Sequence, residues 1–408
     1  MMEEGSPTPL KFSISESLMH QTEMLEVAKQ QCRLSIGIPS ETSIHENRVG
    51  LIPEAVGLLV QNGHTVFVQS DAGRMACFTD NEYLEQGATI VHSAREVFQA
   101  DIVLKIAPVS AQEMEYLKPR QILISSLQIS AQNEIYFRQL MAKKVTAIAF
   151  EFIRDKTRTL PVIRAMSEIV GNTCIFLAAK YLSDPEYGKG IMFGGFSGIT
   201  PTEVVIIGAG TVGEFAARAA IGMGALIKVF DNSIYKLRRI QNNLNSRVFT
   251  SIINSRLLAD SLKTADVVIA AFRSANGRSP LIVTDSMVKN MKEGSVIMDI
   301  SIDQGGCIET SYITNHTNPA FKKYGVTHYC VPNIASQVPH TASLALSNFF
   351  SPVLLRAGDE GGMENLLKNE AGLRMGVYIY NSILTNQVIG KEFNIPSQDV
   401  DLLMTSWG

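Results

Sequence analysis

The sequence predicts an α/β protein of two alternating domains with a cleft between them. Three observations carry this: a length of 408 residues, two separate runs in which short apolar strands alternate with helical segments, and one glycine-rich strand–turn–helix–strand unit. A hydrophobic share of 46% and a charged share of 18% match an ordinary water-soluble globular chain, with several cores' worth of apolar residues.

The first run opens with the strand Leu34-Ser-Ile-Gly-Ile-Pro39 and continues through strands expected at His64–Gln69, Ala88–His92, Asp101–Ala107, Gln121–Leu127 and Val145–Glu151. Before it lies an extension, residues 1–33, with a helix expected from Ile14 to Gln30. The second run follows a glycine-rich linker, Gly188 to Gly198, and adds strands at Ala265–Ala271, Ser295–Ser301 and His328–Val331. The tail reads as helical over Thr341–Arg356, Glu364–Asn369 and Leu373–Leu384, which suits packing back onto the first run.

The densest chemical signal is Val204-Val-Ile-Ile-Gly208-Ala-Gly210-Thr211-Val212-Gly213, followed by the strand Leu226–Phe230 and Asp231. A β-branched run gives a buried parallel strand, and the glycines allow the tight turn, the close approach of a pyrophosphate and the seating of the helix Thr211–Met223. The helix N-terminus directs N–H groups at the phosphates. Asp231, at the end of the second strand, suits a ribose hydroxyl and repels a 2′-phosphate, so the pattern indicates NAD; Lys236, Arg238 and Arg239 weaken that preference or merely solvate a helix face.

The composition excludes other classes. A net charge of −3 leaves no basic footprint for nucleic acid. No uninterrupted apolar run reads as a membrane span, and the acidic, polar start is unlike a secretory leader, so a cytoplasmic protein is expected. The five cysteines, Cys32, Cys77, Cys174, Cys307 and Cys330, are scattered without metal-ligand spacing, and no bound metal is expected.

Several segments resemble one family. Ile36-Gly-Ile-Pro-Ser-Glu41, His45-Glu-Asn-Arg48-Val, Gly63-His64-Thr-Val, Ala165-Met-Ser167-Glu168-Ile-Val-Gly171, Gly190-Ile-Met-Phe-Gly194-Gly195-Phe-Ser-Gly198 and Met298-Asp-Ile-Ser-Ile-Asp303-Gln-Gly-Gly-Cys307 are similar to alanine dehydrogenase and to the N-terminal part of nicotinamide nucleotide transhydrogenase, the last two segments more to the former. The resemblance implies two doubly wound (Rossmann-like) domains, the first discontinuous: a substrate domain of residues 34–164 and 340–408, and an NAD-binding domain of residues 165–339 inserted between its parts. It further implies a homo-oligomer, hexamer or dimer. By the same resemblance Arg48 grips the substrate carboxylate, Asp303 stands beside the nicotinamide, Ser167 contacts the cofactor ribose or pyrophosphate, and Asn333 lies at the nicotinamide end of the cleft.

Two positions depart from the family pattern. Its substrate lysine falls on Ala107 in Leu104-Lys105-Ile-Ala107-Pro108, and its acid/base histidine falls on Gln128. Alanine carries no charge and an amide has no useful proton-transfer pKa, so a replacement group is expected, with Lys105, His45 and His340 as the candidates. Phe272-Arg273-Ser-Ala-Asn276 also stands where the family has an apolar Leu-Val-Pro-Gly segment. Four functions stay open: an NAD-dependent alanine dehydrogenase with a rearranged acid/base group, a dehydrogenase of another 2-amino acid, a catalytically silent NAD(H)-binding protein, and a transhydrogenase-like subunit.

Overall fold

The computed structural model describes residues 32–43, 46–273 and 279–405; the expected helix at Ile14–Gln30 and the candidate His45 lie outside them. In the first run the strands are β1 (Ser35–Ile38), β2 (Thr65–Gln69), β3 (Thr89–Val91), β4 (Ile102–Leu104), β5 (Ile122–Ser125) and β6 (Thr146–Ala149). The second contributes β7 (Glu203–Ile207), β8 (Leu226–Phe230), β9 (Phe249–Ser251), β10 (Val267–Ala270), β11 (Val296–Asp299), β12 (Ala320–Lys323) and β13 (Val326–Tyr329), and the tail adds β14 (Val377–Tyr380) and β15 (Ile383–Leu384).

Among the described residues these form two sheets, ordered β15-β14-β6-β5-β4-β1-β2-β3 and β12-β13-β11-β10-β7-β8-β9. Both are parallel except at one edge, where β14 and β15 in the first sheet and β12 in the second run antiparallel. Because a parallel strand is covered on both faces, alternate residues enter different cores. Ile36, Ile38, Ile102, Leu104, Ile124 and Ile148 pack on one side of the first sheet, while Val103, Leu123, Ala147 and Ala149 pack on the other. In the second sheet Val204 and Ile206 face one core, Val205 and Ile207 the opposite one.

The strand orders place the crevices. The chain leaves β1 toward β2 and β3 and later builds β4, β5 and β6 on β1's other side; β7 divides β8 and β9 from β10 and β11 in the same way. A ligand crevice opens at the carboxyl end of the strand where the order reverses. The loop after β1 carries Glu41, Glu46 and Arg48, and the loop after β7 is the glycine turn.

A helix of 23 residues, α1 (Pro161–Ser183), links the two halves: Val162 belongs to the core of the first sheet and Cys174, Ile175, Ala178 and Leu182 to that of the second. By length and composition alone it is a helix that can cross a membrane, and only part of its most apolar stretch is buried in the protein. It crosses α2 (Thr211–Gly222) at Gly171, where a Cβ would lie 2.6 Å from the Val212 carbonyl oxygen. A third helix, α3 (Pro339–Asp359), returns to the first sheet and buries Leu346, Phe350 and Leu354 against it.

One element differs from the sequence expectation. Leu373–Leu384 is not helical beyond Arg374 but turns into the β14–β15 hairpin, with β14 pairing to β6 through Val377↔Ile148 and Ile379↔Ala147. Val377-Tyr-Ile-Tyr380 is β-branched and aromatic, and Asn381 and Ser382 both take positive φ (44° and 81°), as a two-residue hairpin turn requires. The last strand of the second run also begins earlier than expected, at Val326, and β9 and β12 are additional edge strands. Conversely, β4, β5 and β6 end at Leu104, Ser125 and Ala149, before their expected ends, which frees Lys105–Ala107, Ser126–Gln128 and Phe150–Glu151 to line the cleft side of the sheet.

Candidate active site

The glycine turn has the close packing its sequence implies. A Cβ on Gly208 would lie 2.5 Å from the Ala271 carbonyl oxygen, and one on Gly213 only 1.9 Å from the Gly208 carbonyl oxygen, whereas nothing approaches the corresponding position at Gly210. Gly208 takes φ 108°. The turn is therefore tight where strand, loop and helix meet and open where a ligand would approach. No side chain caps α2, so the N–H groups at Thr211 and Val212 begin the helix without a side-chain acceptor. Asp231 braces the turn from β8: its carboxylate accepts from the Ala209 N–H at 2.8 Å and the Ser233 N–H at 2.7 Å. Lys236 approaches this carboxylate at 3.8 Å, and Arg239 donates to the Ala209 carbonyl oxygen while pairing with Glu214.

The crevice after β1 is built around Arg48. Its Nε and Nη2 donate to the two Glu46 carboxylate oxygens, each at 2.7 Å, and Nη1 lies 3.3 Å from Met166 Sδ on α1. Asn333, in a left-handed conformation (φ 59°) that asparagine tolerates, donates from Nδ2 to Glu46 Oε2 at 2.9 Å. Glu46 therefore fixes the guanidinium from one edge. Burial pulls the Arg48 pKa down, but the Glu46 carboxylate more than offsets this and holds it above its ordinary value, so the residue is a permanent cation. Ser167 follows Met166 on α1, half-buried. Glu46 and Met166 were not singled out in the sequence, although an acid two residues before an arginine was the signal for the first.

Lys105 is fully buried, with Nζ 3.0 Å from both Glu113 carboxylate oxygens and 3.4 Å from Glu41. Glu41 in turn accepts from the N–H groups of Ile106 and Ala107. Lys105 thus has its donors committed to an ion cluster beneath the cleft. His340 is engaged elsewhere, its Nδ1 donating to the Ala76 carbonyl oxygen and its ring stacked on Phe78.

Burial raises the Glu41 carboxyl from 4.5 to about 7, against the opposing pull of Lys105. The folded protein therefore keeps a proton on Glu41 that the unfolded chain has lost, and its stability falls as pH rises from the ordinary carboxyl range to about 7. Glu41→Gln is expected to flatten this slope, the two proteins diverging by on the order of 3 kcal/mol across the window. Urea unfolding at several pH values checks this; parallel slopes for the two proteins would refute it.

Gln128 stands where β5 gives way to a left-handed turn (φ 50°), exposed, and its backbone N–H donates to Glu151 Oε1 together with that of Leu127. Its side-chain amide reaches Ser126 Oγ at 3.4 Å. Across the cleft, Asp303 lies in the short helical turn after β11, and its carbonyl oxygen accepts from Ser130 Oγ of the first domain at 3.4 Å. Asp303 is exposed by surface area, yet protein surrounds it closely enough that desolvation holds its carboxyl above the usual range; Arg273 opposes that shift. Glu151 behaves alike: burial raises its carboxyl, and backbone N–H groups and Arg273 lower it. The fold thus brings Gln128, Glu151, Asp303 and Arg273 to one cleft, and Arg48 and Asn333 to its neighbouring crevice. Glu151 gave no recognisable sequence signal.

Comparisons with known proteins agree with this architecture. The family model described as "Alanine dehydrogenase/PNT, N-terminal domain" matches residues 37–170, and "Alanine dehydrogenase/PNT, C-terminal domain" matches residues 174–387. The alanine dehydrogenase of Methanococcus maripaludis is 38% identical over 363 residues, covering 88% of this chain and 97% of that protein. That of Bacillus subtilis is 37% identical over 358 residues, covering 88% and 94%. A solved L-alanine dehydrogenase superposes with a TM-score of 0.83 at 35% identity, covering 88% of this chain and 99% of that one. A transhydrogenase from Sinorhizobium meliloti shares the fold, with a TM-score of 0.72 at 24% identity over 86% of this chain and 98% of its own. With both family models spanning most of its length and relatives above one-third identity along nearly their whole chains, this protein belongs to the alanine dehydrogenase/PNT family.

Proposed function

We propose that this protein is an NAD-dependent 2-amino-acid dehydrogenase of the alanine dehydrogenase type, converting L-alanine and water to pyruvate and ammonia, with an acid/base arrangement of its own. The observation that carries the reading is the pairing of two crevices. One holds an open glycine turn on an uncapped helix, the other an arginine fork locked by Glu46, and Asp303 reaches the first domain at Ser130 between them.

The dinucleotide fits the first crevice because Gly210 leaves room for it, Thr211, Val212 and Gly213 begin the uncapped helix, and Asp231 closes the ribose end. Bound there beside Ser167 and Asn333, it supplies the acceptor for the substrate's Cα hydride. Arg48 binds the substrate carboxylate through its edge away from Glu46, a bidentate match that holds Cα in place. Asp303, with its raised carboxyl, accepts the proton from the water that adds to the resulting imine. Gln128 orients the substrate oxygen by its amide and moves no proton, and Lys105 supports Glu41 beneath the cleft rather than the chemistry.

Residues 34–164 and 340–408 form the substrate domain and 165–339 the cofactor domain. The protein is cytoplasmic and a homo-oligomer, dimer or hexamer; the exposed apolar side chains Met192, Phe196, Ile199, Met223 and Leu226 on and beside the glycine-rich linker suit a second copy. No nucleic-acid or membrane partner is proposed.

A second reading, a silent NAD(H)-binding protein, is favoured by the uncharged Ala107 and Gln128. The test is NADH formation from NAD and a panel of L-amino acids at about pH 7 to 10, with NADH consumption from pyruvate and ammonium beside it. Turnover supports the dehydrogenase; NADH binding without turnover on any 2-amino acid overturns it in favour of the silent reading.

A further inference from the structure

Three cations are placed at the cleft; Arg48 keeps only the edge that the substrate carboxylate takes, and Lys105 has its donors committed. Arg48 spends Nε and Nη2 on Glu46 and points Nη1 at Met166, and Lys105 spends its ammonium on Glu113 and Glu41. The neutral donor Asn333 is held by Glu46, and Gln128 has only an amide. Arg273 is different. It follows the carboxyl end of β10, where Ala271 and Phe272 close on the first turn glycine and the Phe272 carbonyl accepts from Ser279 Oγ, while the Ser279 N–H donates to the Gln304 carbonyl next to Asp303. This backbone framework ties residue 273 between the glycine turn and the Asp303 turn. Its side chain is exposed and, among the described residues, makes no hydrogen bond or close ion pair, yet its charge acts on Asp303 of one domain and on Glu151 of the other. Held by this framework between the glycine turn and the Asp303 turn, with its side chain exposed, Arg273 is placed to reach the cleft.

We infer that Arg273 is a catalytic residue that binds the carbonyl oxygen of the 2-oxo acid, the oxygen that the Gln128 amide orients and for whose developing charge neither Ala107 nor Gln128 supplies a cation. This rests on the dehydrogenase reading. As ammonia adds to the carbonyl carbon, the nitrogen–carbon bond forms, the C=O π pair moves onto oxygen and one nitrogen proton passes to Asp303. The negative oxygen then lies against a fixed cation; it takes one proton from solvent to become a hydroxyl and a second, returned by Asp303, to leave as water while the nitrogen lone pair forms the C=N bond. A planar fork with free N–H groups suits this task, because preorganised donors at a developing oxyanion stabilise it without reorganising at the moment of reaction.

The experiment compares the wild-type protein with Arg273→Leu and Arg273→Gly. Pyruvate binding to the protein–NADH complex, without ammonium, is read by NADH fluorescence; reductive amination is read by NADH loss. The expected result is a roughly tenfold or greater rise in pyruvate Kd and a fall in kcat/KM of about 10²–10³, with NADH Kd within about threefold and unchanged thermal unfolding. Added guanidinium ion should restore part of the Arg273→Gly loss and do nothing to the wild type, a response that a structural role would not give. Unchanged pyruvate binding, an equal loss of NADH binding, or a wild-type complex that binds no pyruvate overturns the inference. If the wild type binds pyruvate but turns over no substrate, the dehydrogenase reading fails by itself, and the pyruvate arm still decides the role of Arg273.

Discussion

Arg48→Ala is expected to abolish amino-acid turnover and to destabilise the protein, and the two effects should separate on further substitution. The guanidinium makes two 2.7 Å bonds to Glu46, whose carboxylate also holds Asn333. Removing the arginine leaves a buried carboxylate with only the Asn333 amide and the backbone N–H of residue 48 as partners, and breaking a buried ion pair from one side costs about 3–5 kcal/mol. Loss of the charge-assisted fork to the substrate carboxylate costs a further two to three orders of magnitude, roughly, in kcat/KM. Arg48→Met with Glu46→Gln removes both charges together and is expected to recover most of the stability while leaving turnover absent. Arg48→Lys keeps the charge but not the fork, so it should fold nearly normally and still lose most activity. Denaturant titrations beside kinetics of the four proteins check this. Full activity in Arg48→Ala, or activity that returns with stability in the double variant, would show that Arg48 serves the fold alone.

The parts of the site visible in the sequence are those written into local backbone requirements. Gly208 and Gly213 announce a turn because only glycine fits where a Cβ would strike a carbonyl, Gly210 leaves the approach between them open, and Asp231 follows at the spacing of one strand–helix–strand unit. Arg48 and Asp303 were recognisable only through segments resembling a family. What could not be read is what depends on long-range assembly. Glu151 enters the cleft because β6 ends at Ala149 and the next residues turn out of the sheet, an outcome of its pairing with β5 and β14. The commitment of Lys105 to Glu113 and Glu41 was equally hidden: a period-two argument puts its side chain on the same face as residue 107, but burial and two acids from elsewhere decide what it does. The hairpin at Val377–Leu384 was missed because a short apolar run has no length to reveal its period, and the edge of β6 that it covers is not visible locally.

Gln128→His gives the largest expected gain. The residue is exposed, its φ of 50° lies in a region that histidine occupies more readily than most side chains, and only a weak amide contact to Ser126 is lost, so the fold should be unaffected. The imidazole would face Glu151 beneath it and Asp303 and Arg273 across the cleft, two carboxyls that favour its protonation and a cation that opposes it. A group with an ordinary pKa near 6.5 then stands opposite Asp303 at a position where the wild type has only an amide, and general acid/base catalysis contributes about 10²–10⁴-fold. Deamination needs the neutral imidazole, so kcat/KM for the amino acid should acquire a limb that rises with pH through the imidazole pKa, on top of a rate increase of roughly 10². The combination with Asp303→Asn tests whether the two groups share one proton path: if they do, the gain shrinks far below its size in the single variant. A Gln128→His protein that binds NADH normally but is neither faster nor altered in its pH profile would mean that the wild-type cleft already holds a sufficient proton-transfer group, which shifts that role onto Glu151 or Asp303 alone.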